Sequence, residues 1–280
     1  MRRPVLVLAL VALVPLSLPL SGQEVGGASE PPLRAMHTAD EARDWEAVGR
    51  LDTGISFCTA TLIAPDLALT AAHCLYSPEG RRLPDADLSF SAGLRHGRSE
   101  ATRGVVQSSV PAGYVRSAGL ADFASIAADV ALLRLDQPVP ESSVPPMVVG
   151  RPAMLRREVT LVSYGADREA FPSIEEGCRI LSREGSVMLL TCSIEAGSSG
   201  APVISVGPGG PEIVAIVSGG AEVEGEAVSV AVVPETLLPD LLASQPRAGV
   251  RATQGGSVTF RSVGDGGLAR DGIGARFLRP

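Results

Sequence analysis

The segment 69–74 reads Leu-Thr-Ala-Ala-His-Cys and places a histidine directly after a short apolar run that predicts a β-strand. Two later segments supply partners for that histidine. Segment 129–135, Asp-Val-Ala-Leu-Leu-Arg-Leu, starts with a carboxylate, and segment 197–203, Gly-Ser-Ser-Gly-Ala-Pro-Val, holds two serines in a glycine-rich turn. A neutral imidazole can remove the proton of a serine hydroxyl, and a carboxylate can fix the tautomer of the imidazole. The three segments together predict an activated serine nucleophile.

The candidate base and its carboxylate partner are His73 and Asp129. The other two histidines, His37 and His96, stand in polar surroundings without a motif. A carboxylate that leads an apolar strand is expensive to bury unpaired, so an imidazole partner would account for Asp129. Asp122 lies just upstream and is the rival candidate.

The composition excludes several classes of protein. The 280 residues are 45% hydrophobic and 20% charged, which is typical of a globular protein with a sizeable core. Aromatic residues make up only 4%, so Val, Leu, Ile and Ala must fill that core. All 24 basic residues are arginines, and the formal net charge is -7. An acidic chain without a dense phosphate-binding face argues against a nucleic-acid partner.

The first residues have the pattern of an export signal. Arg2 and Arg3 precede an apolar run over 5–20, and a polar stretch follows. The run is short and broken by prolines, so we expect a signal peptide over 1–22 and no stable membrane insertion after its removal. A polar connector over 23–44 follows. The expected location is secreted or periplasmic.

The four cysteines fit that destination, because disulfides persist in oxidising compartments. They are Cys58, Cys74, Cys178 and Cys192, and no two of them form a Cys-x-x-Cys pair. A zinc site or a redox dithiol is therefore not predicted. Four cysteines allow three pairings, and the spacing alone leaves all three open.

Short β-type runs dominate the chain from Trp45 onward. A dozen of them are separated by Gly, Pro and Asp, and a proline-rich bridge over 138–146 divides them six and six. This spacing predicts an all-β fold of sandwich or barrel type. The predicted strands are 47–51, 57–63, 67–71, 88–92, 104–110, 130–135, 159–164, 178–182, 187–192, 201–206, 213–218 and 227–233.

The end of the chain differs in composition from the β-type runs. The run 234–242 has Pro at its first turn and closely spaced leucines, which predicts a short closing helix packed against the second half of the strands. Residues 244–280 are rich in Gly and Arg with few large apolar groups, so we expect a disordered extension. A small β-type appendage using Val258, Phe260 and Phe277 is the alternative.

The chain order His, Asp, Ser, with the frames Thr-Ala-Ala-His-Cys and Gly-Ser-Ser-Gly, resembles the chymotrypsin/trypsin-like serine peptidases. The likeness covers about 45–234 and is strongest with the bacterial trypsin-like and glutamyl-endopeptidase-like secreted enzymes. It implies a domain over 45–243 made of two six-stranded antiparallel β-barrels, about 45–137 and 147–243. The implied activity is hydrolysis of proteins or peptides through an acyl-enzyme, with no metal and no cofactor.

The resemblance also implies roles for particular residues. Ser199 stands in the register of the nucleophile, and Ser198 does not. The backbone N–H groups of Gly197 and Ser199 are the implied oxyanion hole. The family commonly bridges the strand ahead of the histidine to the residue after it, which implies a disulfide Cys58–Cys74 and leaves Cys178–Cys192 as the second.

The substrate pocket departs from the familiar patterns. The resemblance places Ser193 in the primary pocket, where trypsins carry an aspartate, and Ser218, Gly219 and Gly220 on the strand that pairs with substrate. Glutamyl endopeptidases carry a histidine where this chain has Val217. Neither basic nor glutamate specificity is therefore implied, and we expect a small or apolar preference. For Glu222, Glu224 and Glu226 we expect a solvated acidic loop, and an acidic rim near the pocket is the alternative.

Two further departures concern activation and activity. Ser198 replaces the aspartate that receives the freed N-terminus in animal enzymes, so activation by that ion pair is not expected. Ala201 replaces the usual glycine after Ser-Gly. The alternative function is therefore a catalytically weak or inactive protease-like binding module.

Overall fold

The structure, a computed structural model, describes residues 33–116, 122–151 and 158–245, and these ranges form fourteen strands and three short α-helices. The first seven strands are β1 (Arg34–Ala35), β2 (Val48–Asp52), β3 (Phe57–Ala64), β4 (Leu67–Thr70), β5 (Ser89–Ala92), β6 (Ala101–Ser109) and β7 (Ala131–Leu135). The next seven are β8 (Val148–Val149), β9 (Glu158–Ser163), β10 (Ser173–Glu184), β11 (Val187–Leu190), β12 (Pro202–Gly207), β13 (Gly210–Val223) and β14 (Glu226–Val232). The helices are α1 (Ala39–Ala42), α2 (Phe123–Ala127) and α3 (Leu238–Ser244).

The first barrel is closed by six antiparallel strands in the order β2-β3-β4-β7-β6-β5. Pairing of β2 with β5 completes the ring, so neither strand is left with an open edge. Its interior is filled by large aliphatic side chains and one phenylalanine, all without solvent exposure. These include Leu51, Leu62, Leu69, Phe90 and Leu132.

The second barrel uses six antiparallel strands in the order β9-β10-β11-β14-β13-β12, and pairing of β12 with β9 closes it. Two short strands lie outside the ring: β1 pairs with β10, and β8 pairs in parallel with β13. Smaller residues fill this barrel, including Val159, Leu161, Val203, Ala215 and Val217. The prediction of two six-stranded antiparallel barrels is confirmed, and each of the twelve predicted strands overlaps an observed one.

The segment ahead of Trp45 belongs to the folded unit. Met36 is fully buried, and its backbone N–H donates to the Pro172 carbonyl at 2.9 Å. Thr38 and Glu41 then form a capping box that starts α1. Part of the predicted connector, 33–44, therefore packs on the second barrel through β1.

The predicted closing helix exists, but its start and its packing differ from the prediction. It begins at Leu238, four residues after Pro234, whose carbonyl accepts from the amides of Leu237 and Leu238 in a preceding turn. The prediction that it packs on the second barrel was wrong. Gln245, just past α3, donates from Nε2 to Ser109 Oγ at 3.0 Å and accepts from Arg134 Nε at 3.2 Å, and both partners belong to the first barrel. Buried amide and guanidinium groups need partners, and the first barrel supplies them.

Two disulfides staple the fold, one in each half. Cys58 on β3 is bonded to Cys74, and Cys178 on β10 is bonded to Cys192. The predicted signal peptide over 1–22 and nearly all of the predicted extension over 244–280 lie outside the described residues. Within the described ranges, no helix has the length and apolar character needed to cross a bilayer.

Candidate active site

His73 lies in a single 3₁₀ turn, Ala72–Leu75, that follows β4 on the first barrel. The small side chains of Ala71 and Ala72 are fully buried, which lets the turn pack tightly against the barrel. The next residue, Cys74, is tied to β3 by the disulfide to Cys58. The backbone of His73 is thus held by packing of Ala71 and Ala72 before it and by the Cys58–Cys74 disulfide after it.

Asp129 receives three hydrogen bonds that orient both itself and the imidazole. Its Oδ2 lies 2.7 Å from His73 Nδ1, and its Oδ1 accepts the His73 backbone N–H at 2.8 Å. The hydroxyl of Ser218 donates to Oδ2 at 2.5 Å. The carboxylate side chain is only 6% exposed, so these donors replace the water that it has lost. Because Nδ1–H donates to the carboxylate, the Nε2 lone pair of His73 is directed away from it.

Ser199 and His73 border the same cleft, of about 570 Å³. Within the described residues no hydrogen bond joins His73 Nε2 to Ser199 Oγ. Hydrogen bonds between catalytic groups are often long before substrate binds, so this separation does not conflict with a shared role. The sulfur of Cys74 lies 3.9 Å from Nε2, but it is bonded to Cys58 and cannot act as a thiolate ligand for a metal.

The four carbonyls of residues 196–199, the loop that carries Ser199, all accept hydrogen bonds from the protein. The carbonyl oxygens of Ala196 and Ser198 accept from the amides of Ala166 and Ala201 at 2.7 and 3.0 Å. Those of Gly197 and Ser199 accept from the hydroxyl and the amide of Thr59 at 2.9 and 2.8 Å. The N–H and C=O of one peptide group point in opposite directions. The Ala196 carbonyl shares its peptide group with the Gly197 N–H, and the Ser198 carbonyl with the Ser199 N–H. These two N–H groups therefore point away from the partners that hold the Ala196 and Ser198 carbonyls. Neither amide has an acceptor within the described residues.

Two glycines make this loop possible. Gly197 has φ +98°, and a Cβ there would lie 2.3 Å from the Phe57 ring. Gly200 has φ +81°, and a Cβ would lie 2.2 Å from the Thr59 carbonyl oxygen. Both positions need a left-handed backbone and close approach to the first barrel, which only glycine tolerates.

Ser198 is fully buried and faces away from the cleft. Its Oγ accepts the Glu195 amide at 3.2 Å and lies 3.3 Å from the Tyr164 carbonyl oxygen and 3.4 Å from Ser163 Oγ. Ser198, the other serine of the glycine-rich turn, therefore has a structural role beneath the loop. Its position explains how the loop is held without the aspartate of animal enzymes.

Tyr164 and Arg168 lie beside the same loop: the Tyr164 carbonyl oxygen is 3.3 Å from Ser198 Oγ, and Arg168 pairs with Glu195. The Tyr164 hydroxyl donates to the Leu94 carbonyl at 2.9 Å, and burial raises the pKa of this phenol, so it stays a neutral donor. Arg168 donates to Glu195 Oε2 at 3.2 Å and to the Ser163 carbonyl at 3.1 Å. Burial lowers the pKa of Arg168, and Glu195 opposes that shift.

The predicted pocket residues separate into two groups. Ser193 and Gly220 line a cleft of about 590 Å³ whose walls include Ile194 and Val228. Ser218 does not line it and instead donates to Asp129. Gly219 pairs with Val230 in the β13–β14 ladder, and Val217 is fully buried. Of the acidic rim, Glu222 lines the cleft, whereas Glu224 and Glu226 stand at the exposed β13–β14 turn.

Sequence reasoning did not find Glu175 or Thr59. Glu175 is 2% exposed, and its carboxylate accepts the Ser193 amide at 2.7 Å under the floor of the cleft. Thr59 is fully buried between the barrels. Neither residue stands in a recognisable motif, and both act through partners distant in sequence.

The fold and the site define a class: a double β-barrel in which a histidine and a serine border one cleft and a buried carboxylate holds the histidine. A sequence model of the trypsin-like peptidase domain matches residues 58–209, more than half of the chain, and the chain belongs to this family of serine-type peptidases. A solved structure described as a Glu endopeptidase in complex with MPD is similar in fold. Its TM-score is 0.63 at 16% identity, over 75% of this chain and 94% of that one. No curated protein sequence matches the chain.

Proposed function

We propose that the protein is an exported serine endopeptidase that hydrolyses peptide bonds with Ser199 as nucleophile, His73 as base and Asp129 as the orienting carboxylate. The observation that carries this proposal is the His73–Asp129 pair, with Nδ1 2.7 Å from Oδ2, in which His73 borders the cleft that Ser199 also borders. A buried carboxylate that fixes the far nitrogen of an imidazole leaves the near nitrogen free to accept a proton.

The proposed reaction proceeds in two halves. His73 Nε2 takes the hydroxyl proton as Ser199 Oγ bonds to the scissile carbonyl carbon, and the imidazolium then gives that proton to the departing amine. This leaves an acyl-enzyme. In the second half His73 deprotonates a water that attacks the ester, and Ser199 leaves with the proton.

The oxyanion of each tetrahedral intermediate would be held by the N–H groups of Gly197 and Ser199. Neither amide has an acceptor among the described residues, and the carbonyls that share their peptide groups are both hydrogen-bonded to the protein, which supports the assignment. Each such donor contributes about 10²- to 10³-fold in rate. The buried hydroxyl of Ser198 and the Thr59 contacts keep the loop in this shape before substrate arrives.

Substrate would bind as an added strand along the Ser218, Gly219 and Gly220 edge of β13. The side chain before the scissile bond (P1) would enter the cleft lined by Ser193, where Ile194 and Val228 form apolar walls. The absence of a charged residue at 193 agrees with a small or apolar P1 preference.

Export is part of the proposal. The apolar N-terminal run supports it, and two disulfides are consistent with an oxidising compartment, secreted or periplasmic. Proteins or peptides are the proposed partners.

Labelling with a fluorophosphonate tests the enzyme directly, because the reagent bonds to a serine only when a base activates it. We expect stoichiometric labelling of the folded protein at Ser199 and none in Ser199→Ala. A Ser142→Ala variant, which changes an exposed serine outside the site, is the matched control and should label fully. Equal, negligible labelling of the wild-type protein and Ser199→Ala would instead support the inactive binding module.

A further inference from the structure

Arg116 and His73 both line the same two cavities. One cavity, of about 200 Å³, is also lined by Asp129 and Ser218. The other is the cleft of about 570 Å³ that contains Ser199 and the Cys58–Cys74 disulfide. Arg116 and Ser199 therefore line the same cleft.

The charge of Arg116 is poorly satisfied by the residues that the structure describes. Its Nε is buried and has no hydrogen-bond partner in the part of the chain that the structure describes. Within the same ranges it forms no ion pair. Burial and Asp129 raise the pKa of Tyr114, and Arg116 acts in the opposite direction, which places the guanidinium near that phenol. A partly buried cation with no ion pair among the described residues favours an anionic ligand.

The two cavities differ in their charge. In the smaller one the only carboxylate among the lining residues is Asp129, which already accepts three hydrogen bonds from His73 and Ser218. In the larger one Glu79 and Arg81 are both present and offset each other. The pKa of Glu79 lies below its usual range, chiefly because of the Ser77 hydroxyl, with a smaller contribution from Arg81. Arg116 is thus the surplus charge of the larger cleft, which favours an acidic group there.

The larger cleft is the side on which the leaving group would depart. Residues before the scissile bond would pair with β13 and enter the separate cleft at Ser193 and Gly220. The amine that leaves must lie against His73, which protonates it. The chain beyond the bond then runs over the Cys58–Cys74 disulfide, beside Arg116.

We propose that Arg116 selects substrates that carry Asp or Glu immediately after the scissile bond (P1′). This inference rests on the proposed peptidase function and adds a substrate class to it. The side chain at P1′ would place its carboxylate on the guanidinium, and Gln or Asn at the same position would leave that cation unpaired.

The test uses a peptide library cleaved by the full-length protein, with Glu, Gln or Lys fixed at P1′ and the other positions mixed. For a partly buried ion pair we expect kcat/KM for Glu to exceed that for Gln about tenfold. The ratio should fall to near one in Arg116→Gln, and Arg116→Glu should favour Lys. The ratio within each variant cancels any general loss of activity.

Arg82→Gln is the matched control. Arg82 lies in the same region, stacked 5.2 Å from the Tyr76 ring and bonded to Ser108, but it lines neither cavity. Its Glu/Gln ratio should equal that of the wild type. The proposal is overturned if the wild-type ratio at P1′ is near one, if Arg116→Gln keeps it, or if the acidic preference lies at P2 instead. Absence of any cleavage, together with absence of fluorophosphonate labelling, would overturn the peptidase function as well.

Discussion

The two halves of the proposed catalytic centre are built in different ways. On the first barrel, His73 and Asp129 are positioned by side-chain contacts and by the neighbouring Cys58–Cys74 disulfide. On the second barrel, the loop of Ser199 is positioned almost entirely through its backbone carbonyls. The His73–Asp129 half depends on the identity of its side chains, whereas the Ser199 loop depends on the orientation of its peptide groups.

Thr59 connects these halves. It belongs to β3 of the first barrel, yet its amide and hydroxyl hold the carbonyls of Ser199 and Gly197 on the second. Its hydroxyl also accepts the Tyr164 amide at 3.0 Å, so its single proton is committed to Gly197. We therefore expect the loss of activity to be largest when the His73–Asp129 pair is changed, intermediate when Thr59 is changed, and smallest when Ser198 is changed.

Asp129→Asn should have the largest effect. An amide can present its N–H to His73 Nδ1 and so favour the tautomer whose Nε2 carries the proton, which cannot act as base. We expect kcat/KM to fall by about 10⁴-fold while the fold is retained. Steady-state kinetics on a cleaved library peptide, with circular dichroism as the folding check, measures both.

Asp122→Asn is the control for this change. Asp122 caps α2 by accepting the Ser125 amide at 2.7 Å, and asparagine caps helices equally well. Its activity should match the wild type. Equal losses in the two variants would show that His73 is not oriented by Asp129 in particular.

Thr59→Val should have an intermediate effect. The change keeps the shape of the side chain but leaves the Gly197 carbonyl and the Tyr164 amide without their partner, at a cost of about 2 kcal/mol in the free energy of unfolding. The peptide that follows Gly197 is then free to rotate, and we expect kcat to fall about tenfold with KM little changed. Chemical denaturation and steady-state kinetics measure the two effects.

Thr59→Ser and Thr61→Val separate positioning from packing. Serine restores the hydroxyl, so it should recover most of kcat despite the lost methyl group. Thr61 is equally buried on the same strand, but its hydroxyl has no partner within the described residues, so valine there should leave kcat unchanged. A kcat for Thr59→Ser as low as that for Thr59→Val would contradict the positioning role.

The same contrast explains what the sequence could predict. His73, Asp129 and the twelve barrel strands follow from local patterns, since each pattern lies within a few consecutive residues. Thr59, Glu175 and the buried side of Ser198 depend on contacts more than a dozen positions apart, which no local pattern encodes. The closing helix illustrates both cases: its leucines predict its existence, whereas its partner is decided by Gln245 reaching Ser109.

Ser198→Ala should have the smallest effect of the three. The hydroxyl makes long contacts of 3.2 to 3.4 Å, and the loop keeps its four carbonyl bonds without it. We expect a destabilisation of about 1 kcal/mol and a loss of kcat of about threefold. Denaturant unfolding and fluorophosphonate labelling rates measure these effects. A loss of activity in Ser198→Ala as complete as that in Ser199→Ala would contradict this prediction. It would indicate that the buried Ser198 hydroxyl is the nucleophile and that Ser199 supports it.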